Sequence, residues 1–183
     1  MGANGRKHIF SAKIAHKAQL RLAEKIVFED RLPERIRTVA GVDAAYENET
    51  SIGAAAVLNY DSLVLVESQT SLTRTSVPYI PTLLSFREIP STLASIKKLT
   101  VRPDVFLVDG HGFAHPYRCG YASHLGLVIK RPTIGVAKGR LFGEVDSDET
   151  GKDVCLLKHG GEVIGAAVRT SLGCQPIYVS VGH

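Results

Sequence analysis

Apolar residues first recur along this chain with a helical period. Within residues 11–27 they stand four apart, with Lys and Arg between them: Ile14, Ala18, Leu22 and Ile26. This spacing predicts a basic amphipathic helix over about 11–27. Pro33 then interrupts the chain, and three strand-like segments follow at 38–46, 51–60 and 63–72. The short link between the last two predicts an antiparallel hairpin.

The second half of the chain alternates between strand and helix patterns. Segment 82–99 has helical spacing, and Pro90 within it predicts two helical pieces. A strand at 104–109, a helix at about 118–129 and a strand at 133–136 predict a βαβ unit with parallel pairing. Three more strands are predicted at 153–157, 162–169 and 177–181. This order predicts an α/β fold with a mixed central sheet flanked by helices, similar to ribonuclease H-like domains.

Length and composition set broad limits on the class of protein. The chain has 183 residues, 44% of them hydrophobic, so we expect one domain over 1–183. Its apolar runs are too short to cross a bilayer, and Lys13 and Lys17 interrupt any signal-peptide core. We therefore expect a cytoplasmic protein with no membrane partner. The three cysteines lack a Cys-x-x-Cys spacing, which argues against a zinc site or a disulfide framework.

The positive charge of the chain is concentrated near its start. Net charge is +4, but residues 1–37 hold nine Lys or Arg against four Asp or Glu. Such a segment can neutralise nucleic-acid phosphates. A solvated helix face that serves solubility explains the same pattern equally well.

Two carboxylates emerge from apolar, β-branched runs. Asp43 follows 38–42, and Asp109 follows 104–108. If the two strands are neighbours, both side chains reach one sheet edge, where a shared divalent metal would keep them ionised. Asp109 precedes Gly110, so a strand-ending turn is an alternative there. That alternative is weaker for Asp43, because Ala44 and Ala45 follow it.

Further chemistry-bearing residues fall near the same predicted edge. Glu88 lies on a helix fixed by a Pro-rich loop and is the natural third carboxylate, although surface helix glutamates are common. Lys138 follows the 133–136 strand, where α/β sheets place their sites, and can stabilise charge or orient water. A surface lysine is the simpler alternative. Three carboxylates without paired histidines or cysteines favour Mg²⁺ or Mn²⁺ over zinc.

A loop rich in glycine and histidine directly follows Asp109. Gly110 and Gly112 permit close backbone approach to a ligand. His115 is a candidate for assisting catalysis or contacting phosphate, and His111 for a hydrogen bond within the loop.

Five motifs together resemble the endonuclease V family in order and spacing, over about 29–183. They are Val39-Ala40-Gly41-Val42-Asp43; Pro78-Tyr79-Ile80-Pro81 with Phe86-Arg87-Glu88; Val108-Asp109-Gly110-His111-Gly112 with Ala114-His115-Pro116; Ala122-Ser123-His124-Leu125-Gly126; and Ile134-Gly135-Val136-Ala137-Lys138.

The resemblance implies a ribonuclease H-like, Mg²⁺-dependent nuclease, in which Mn²⁺ can substitute. Its substrate would be DNA containing deoxyinosine, or inosine-containing RNA, nicked at the second phosphodiester 3′ to the lesion by two-metal hydrolysis. We expect a monomer. The matching metal ligands are Asp43, Glu88 and Asp109, and the matching accessory catalytic residues are His115 and Lys138. The residues matching substrate contacts are the wedge segment Pro78, Tyr79, Ile80 and Pro81, with Tyr79 at its tip, and the pocket residues Leu84, Gly110, His111, Gly112, Gly120 and Leu141.

Two departures from the family pattern bear on this expectation. Many relatives continue into a further helix after the segment that matches residues 180–183. The alternative function is therefore an inosine-binding protein that does not cleave. A nuclease of the same fold that acts on branched DNA is a third possibility. Thr82 also stands where a glycine is frequent in relatives, which bears on the mobility of the wedge loop.

Overall fold

The computed structural model describes residues 10–75, 77–145 and 153–183, which form three helices and nine strands. The helices are α1 (Ala12–Ala23), α2 (Leu84–Ile96) and α3 (Tyr121–Ile129). The strands are β1 (Thr38–Glu47), β2 (Thr50–Asn59), β3 (Leu65–Arg74), β4 (Val105–Asp109), β5 (Thr133–Ala137), β6 (Glu144–Val145), β7 (Val154–His159), β8 (Glu162–Val168) and β9 (Ile177–Val181).

All nine strands belong to one mixed sheet in the order β3-β2-β1-β4-β5-β9-β8-β7-β6. The β1–β4 and β4–β5 pairs are parallel, and the other pairs are antiparallel. The predicted α/β class, the β2–β3 hairpin and the parallel βαβ unit are confirmed. The two-residue strand β6 was not predicted, because so short a strand has no periodicity of its own.

Alternation along the central strands places the hydrophobic core on one face of the sheet. In β1, Ala40 and Val42 are buried while Gly41 and Asp43 are exposed. In β4, Phe106 and Val108 are buried. Because successive strand residues point to opposite faces, the buried set packs against α2 and α3, and Asp43 points to the opposite face. The core is completed by residues of β2, α2 and α3: Ala55, Val57, Ile89, Tyr121, Ala122 and Leu125.

The prediction of two helical pieces around Pro90 was wrong, since α2 is one helix that contains this proline. Proline removes one backbone donor from the helical ladder. The Ser91 and Thr92 hydroxyls each donate to the Glu88 carbonyl at 3.0 Å, on a side of the helix that is fully buried. Side-chain hydrogen bonds and burial against the sheet therefore hold this turn in helical form.

Two predicted boundaries also shift for local reasons. Helix α1 ends at Ala23 rather than near residue 27, and the Val27 amide instead donates to His183 Nδ1 at 3.3 Å. Strand β3 begins at Leu65 because Leu63 adopts a left-handed conformation, with φ of 55°, and so belongs to the turn. Across the described ranges, none of the helices has the length and apolar character needed to span a bilayer.

Candidate active site at the parallel strand ends

The parallel pairing of β1 and β4 brings Asp43 and Asp109 together. Val42 is in register with Val108, the last pair between the two strands, so the next residue of each strand is a carboxylate. We call this end of the parallel pairing the carboxylate edge. Lys138 follows β5, the next strand in the sheet. These three residues line a depression of about 460 Å³ on the face of the sheet opposite the core. The predicted juxtaposition of the two aspartates is therefore present.

Each aspartate is turned toward a partner of its own. The Lys138 Nζ donates to Asp109 Oδ2 at 3.1 Å, which raises the pKa of the lysine. This pair is open to solvent, with 87% of the lysine side chain exposed, so it is weak and free to rearrange. Asp43 Oδ1 accepts a hydrogen bond from the Ala44 amide at 2.7 Å.

Glu88 approaches the same edge from helix α2. Its side chain is buried, and the residue is only 6% exposed. The pKa of the Glu88 carboxyl is raised to about 7. Burial is the largest cause, and the negative charges of Asp43 and Asp109 also contribute. The three acidic groups therefore repel one another across this edge, and a cation placed among them would relieve that repulsion.

The three carboxylates lie near one another but are not arranged as a metal coordination shell. In the part of the chain that the structure describes, no three His, Cys, Asp or Glu side chains converge as a metal-binding group. Asp43 leaves the sheet on its open face, whereas Glu88 comes from the helix-covered face. Carboxylate oxygens are nevertheless the donors that hard divalent cations prefer, and the charges of Asp43 and Asp109 add to burial in raising the pKa of Glu88. The donor chemistry fits Mg²⁺ or Mn²⁺, and binding would require the side chains to turn toward one another.

Tyr46, which sequence reasoning missed, lies beside Glu88. The Arg87 guanidinium sits 4.1 Å from the centre of the Tyr46 ring. The hydroxyl is buried and has no hydrogen-bond partner among the described atoms. Burial and the nearby Glu88 raise the pKa of Tyr46 to about 12, so the phenol keeps its proton and can donate a hydrogen bond to this carboxylate. A tyrosine near the end of a predicted strand carries no sequence pattern that would place it beside Glu88.

A separate cavity of about 300 Å³ opens next to the carboxylate edge. Among its lining residues are seven that the family resemblance assigned to substrate binding or catalysis: Tyr79, Pro81, Leu84, Gly110, His111, His115 and Leu141. Thr82, Ser85, Tyr121, Gly139 and Arg140 also line it and were not predicted. Tyr79 is 69% exposed and lies at the mouth of this cavity. Of the predicted contacts, Pro78, Ile80, Gly112 and Gly120 do not line it.

The two glycines outside the cavity hold the loop that forms its wall. The Gly112 amide donates to Ser180 Oγ at 2.9 Å, and a Cβ at Gly112 would lie 2.1 Å from the Val181 carbonyl oxygen. The Gly120 amide donates to the Gly112 carbonyl at 2.9 Å. Any side chain at Gly112 would displace β9, so the structure explains this glycine by close packing. A direct role in substrate binding stays a prediction for both.

His115 is buried in a neutral form with both ring nitrogens engaged. Nε2 donates to the Thr82 carbonyl at 3.1 Å, and Nδ1 accepts from the Tyr117 amide at 3.1 Å. These partners define one tautomer. Burial lowers the pKa of His115 to about 4, so the ring is uncharged near neutral pH. Its predicted part in catalysis stays a prediction, because either nitrogen would first have to release its partner.

A mixed sheet in this strand order, with carboxylates where the parallel pairing of β1 and β4 ends, defines a ribonuclease H-like domain. Residues 20–183 match the family model of Endonuclease V, and the chain belongs to this family. It is therefore a nuclease, a hydrolase of nucleic-acid backbones.

Relatives in sequence support the same assignment. Endonuclease V of Thermofilum pendens is 45% identical over 174 residues, covering 95% of this chain and 74% of that protein. Endonuclease V of Trichormus variabilis is 44% identical over 169 residues, covering 90% and 76%. The chain thus spans about three quarters of these relatives.

Solved structures agree with the fold. Endonuclease V of Streptomyces avermitilis is 36% identical, with a TM-score of 0.86 over 97% of this chain and 79% of that one. Endonuclease V of Ciona intestinalis is 33% identical, with a TM-score of 0.81 over 94% and 84% of the two chains. The Ciona protein was solved in complex with a 24mer DNA containing an inosine followed by a ribo-adenosine.

Proposed function

We propose that this chain is a divalent-cation-dependent endonuclease that nicks DNA containing deoxyinosine at the second phosphodiester 3′ to the lesion. The observation that carries the proposal is the meeting of Asp43 and Asp109 where the parallel pairing of β1 and β4 ends, with Glu88 buried beside them. The likeness to a relative solved with inosine-containing DNA supports the substrate class.

Asp43, Glu88 and Asp109 would hold Mg²⁺ or Mn²⁺ at this edge. Such an ion, when bound, activates water and offsets charge on the scissile phosphate. Lys138 is paired with Asp109 through an exposed contact that breaks at little cost, so its ammonium is available to a phosphate oxygen. Tyr46 would donate to the Glu88 carboxylate and hold it in place.

The neighbouring cavity supplies a place for a base turned out of the helix. A base that pairs poorly costs less to extrude than a normal base, which favours hypoxanthine. Leu84 and Leu141 give the cavity apolar walls, and the backbone of Gly110 also lines it. Tyr79 stands exposed beside it and would stack in the gap that the base leaves.

A nicking assay tests this proposal. A 5′-labelled duplex with one deoxyinosine is incubated with the protein in Mg²⁺, in Ca²⁺ and in chelator. We expect one product, cut at the second phosphodiester 3′ to the lesion, in Mg²⁺ alone, with binding but no product in Ca²⁺. A matched duplex with adenine should remain intact. Equal cutting of both duplexes, or cutting in chelator, would contradict the proposal.

A second candidate function is inosine binding without cleavage. The observation in its favour is that the described carboxylates do not converge on one point. The same assay separates the two functions, because retention of the inosine duplex in Mg²⁺ without any product would identify the binding protein. The same assay on an RNA strand that carries inosine shows whether DNA or RNA is preferred, because this preference depends on contacts to the 2′-hydroxyl.

A further inference from the structure

Thr82, the residue directly after the wedge segment, has a strained backbone. Its φ is 74°, in the left-handed region. Among the described non-glycine residues with positive φ, Thr82 is the one with a β-branched side chain. This conformation is unfavourable for a β-branched residue, so surrounding contacts must maintain it.

Three side chains, which we call the Thr82 clamp, hold this residue. Gln19 Nε2 donates to the Thr82 carbonyl at 2.7 Å, and His115 Nε2 donates to the same oxygen at 3.1 Å. His16 Nε2 and Thr82 Oγ1 share a hydrogen bond of 3.0 Å. The Thr82 carbonyl thus accepts two hydrogen bonds, and the Thr82 hydroxyl takes part in a third. Rotation of the residue would break all three.

The clamp is itself rigidly supported. Gln19 is fully buried, and its amide nitrogen also donates to the Cys119 carbonyl at 3.0 Å. The His16 ring stacks on Tyr117, with centroids 4.3 Å apart, and the Tyr117 amide donates to His115. Helix α1 is therefore joined at one point to the loop before α3 and to the end of the wedge segment. A buried amide in such a place is costly unless each donor finds an acceptor.

We propose that the Thr82 clamp positions the wedge segment, keeping Tyr79 at the mouth of the cavity before substrate arrives. Gln19 and His16 are positioning residues, since both act through Thr82. The geometry supports this role because Thr82, Tyr79 and His115 line the same cavity, while Gln19 and His16 reach Thr82 from α1. The proposal rests on the proposed function in one respect: Tyr79 fills the gap left by a base that has turned out of the duplex. Rigid placement of Tyr79 lowers the entropy lost when its ring stacks into the duplex.

The position of the wedge can be followed without any substrate. The chain contains no tryptophan, so Tyr79→Trp introduces a single indole at the wedge tip. In that background Gln19→Leu keeps the side-chain volume and removes both donated hydrogen bonds. We expect the indole to show lower fluorescence anisotropy and stronger acrylamide quenching. Ser95→Ala is the matched control, because it removes a buried hydrogen bond to Ser91 within α2 and should change neither signal.

A double-mutant cycle keeps the test informative if Gln19→Leu fails to fold. His16→Phe retains an aromatic ring against Tyr117, and Thr82→Val retains the β-branched shape, yet each removes one side of the same hydrogen bond. Each single change should increase quenching, and the double variant should show no more than either alone. Additive effects, or no effect from any clamp variant, would overturn the proposal.

Cleavage kinetics separate positioning from general loss of structure. In the protein that keeps Tyr79, we expect Gln19→Leu to lower kcat/KM about tenfold on duplex deoxyinosine, because Thr82 loses one of the hydrogen bonds that hold it. On single-stranded deoxyinosine, where no stacked gap needs filling, kcat/KM should stay near the parent value. An equal loss on both substrates would overturn the positioning role. If the parent cleaves neither substrate, the proposed function fails, and the fluorescence result still decides whether the clamp holds the wedge.

Discussion

Asp43→Asn and Asp109→Asn are each expected to lower the nicking rate on a deoxyinosine duplex by about 1000-fold or more, because metal-ion stabilisation worth several kcal/mol is lost. Asparagine keeps the shape of the side chain and removes the charge. Both residues directly follow the last pair of the β1–β4 parallel pairing, so their loss affects one site. Duplex binding should persist, since Tyr79 and the cavity are untouched. Single-turnover nicking and a gel-shift assay in Ca²⁺ measure the two effects separately.

Asp61→Asn is the matched control for these variants. Asp61 is an exposed aspartate paired with Arg35 at 2.8 Å and takes no part in the site. It should cut at the parent rate. Parent-like nicking by Asp43→Asn or Asp109→Asn, with Asp61→Asn unchanged, would remove both carboxylates from the mechanism.

Glu88→Gln is expected to stabilise the metal-free protein and to weaken its cation binding. The folded-state pKa of Glu88 is about 7, against 4.5 for the free side chain. The folded state therefore binds more protons between these pH values, and stability falls as pH rises from about 4.5 to 7. Glutamine removes this penalty, so the free energy of unfolding in chelator at pH 8 should rise by up to about 3 kcal/mol. Below pH 4.5 the gain should vanish.

Chemical denaturation at pH 4 and pH 8 in chelator measures the first effect, and Mn²⁺ titration calorimetry measures the second. The parent should gain stability from Mn²⁺ at pH 8, because an ion bound to the folded state shifts the equilibrium toward it. The Gln variant should gain much less. An unchanged stability at pH 8, or an unchanged Mn²⁺ affinity, would show that Glu88 does not share the charge of this edge.

Much of the fold followed from local pattern in the sequence. Apolar runs that end in Asp43 and Asp109 predicted two strands side by side, and the structure pairs them in parallel. The pattern failed at Pro90, where two helical pieces were predicted and one helix formed. Buried hydroxyls and packing on the sheet outweigh the missing backbone donor there, and these tertiary contacts are not visible in local sequence.

The site could be predicted only where residue type itself indicates chemistry. Carboxylates that follow apolar, β-branched runs met that condition, whereas Tyr79 and the pocket residues were predicted only from the resemblance to the family. Gln19 and Tyr46 did not meet it, because their importance comes from partners distant in sequence: Gln19 reaches Thr82, 63 positions away. The sequence also could not show that Asp43 and Glu88 approach from different faces of the sheet. Alternation indicates which residues of a strand share a face, but not on which side of the sheet a helix packs.

Anomalous diffraction from crystals grown with Mn²⁺ tests most directly whether the three acidic side chains form one cation site. The account predicts a peak where the parallel pairing of β1 and β4 ends, with oxygens of Asp43 and Asp109 at about 2.0 to 2.6 Å and the Glu88 carboxylate turned to join them. A map with no peak there, or with manganese bound only at another surface, would contradict it.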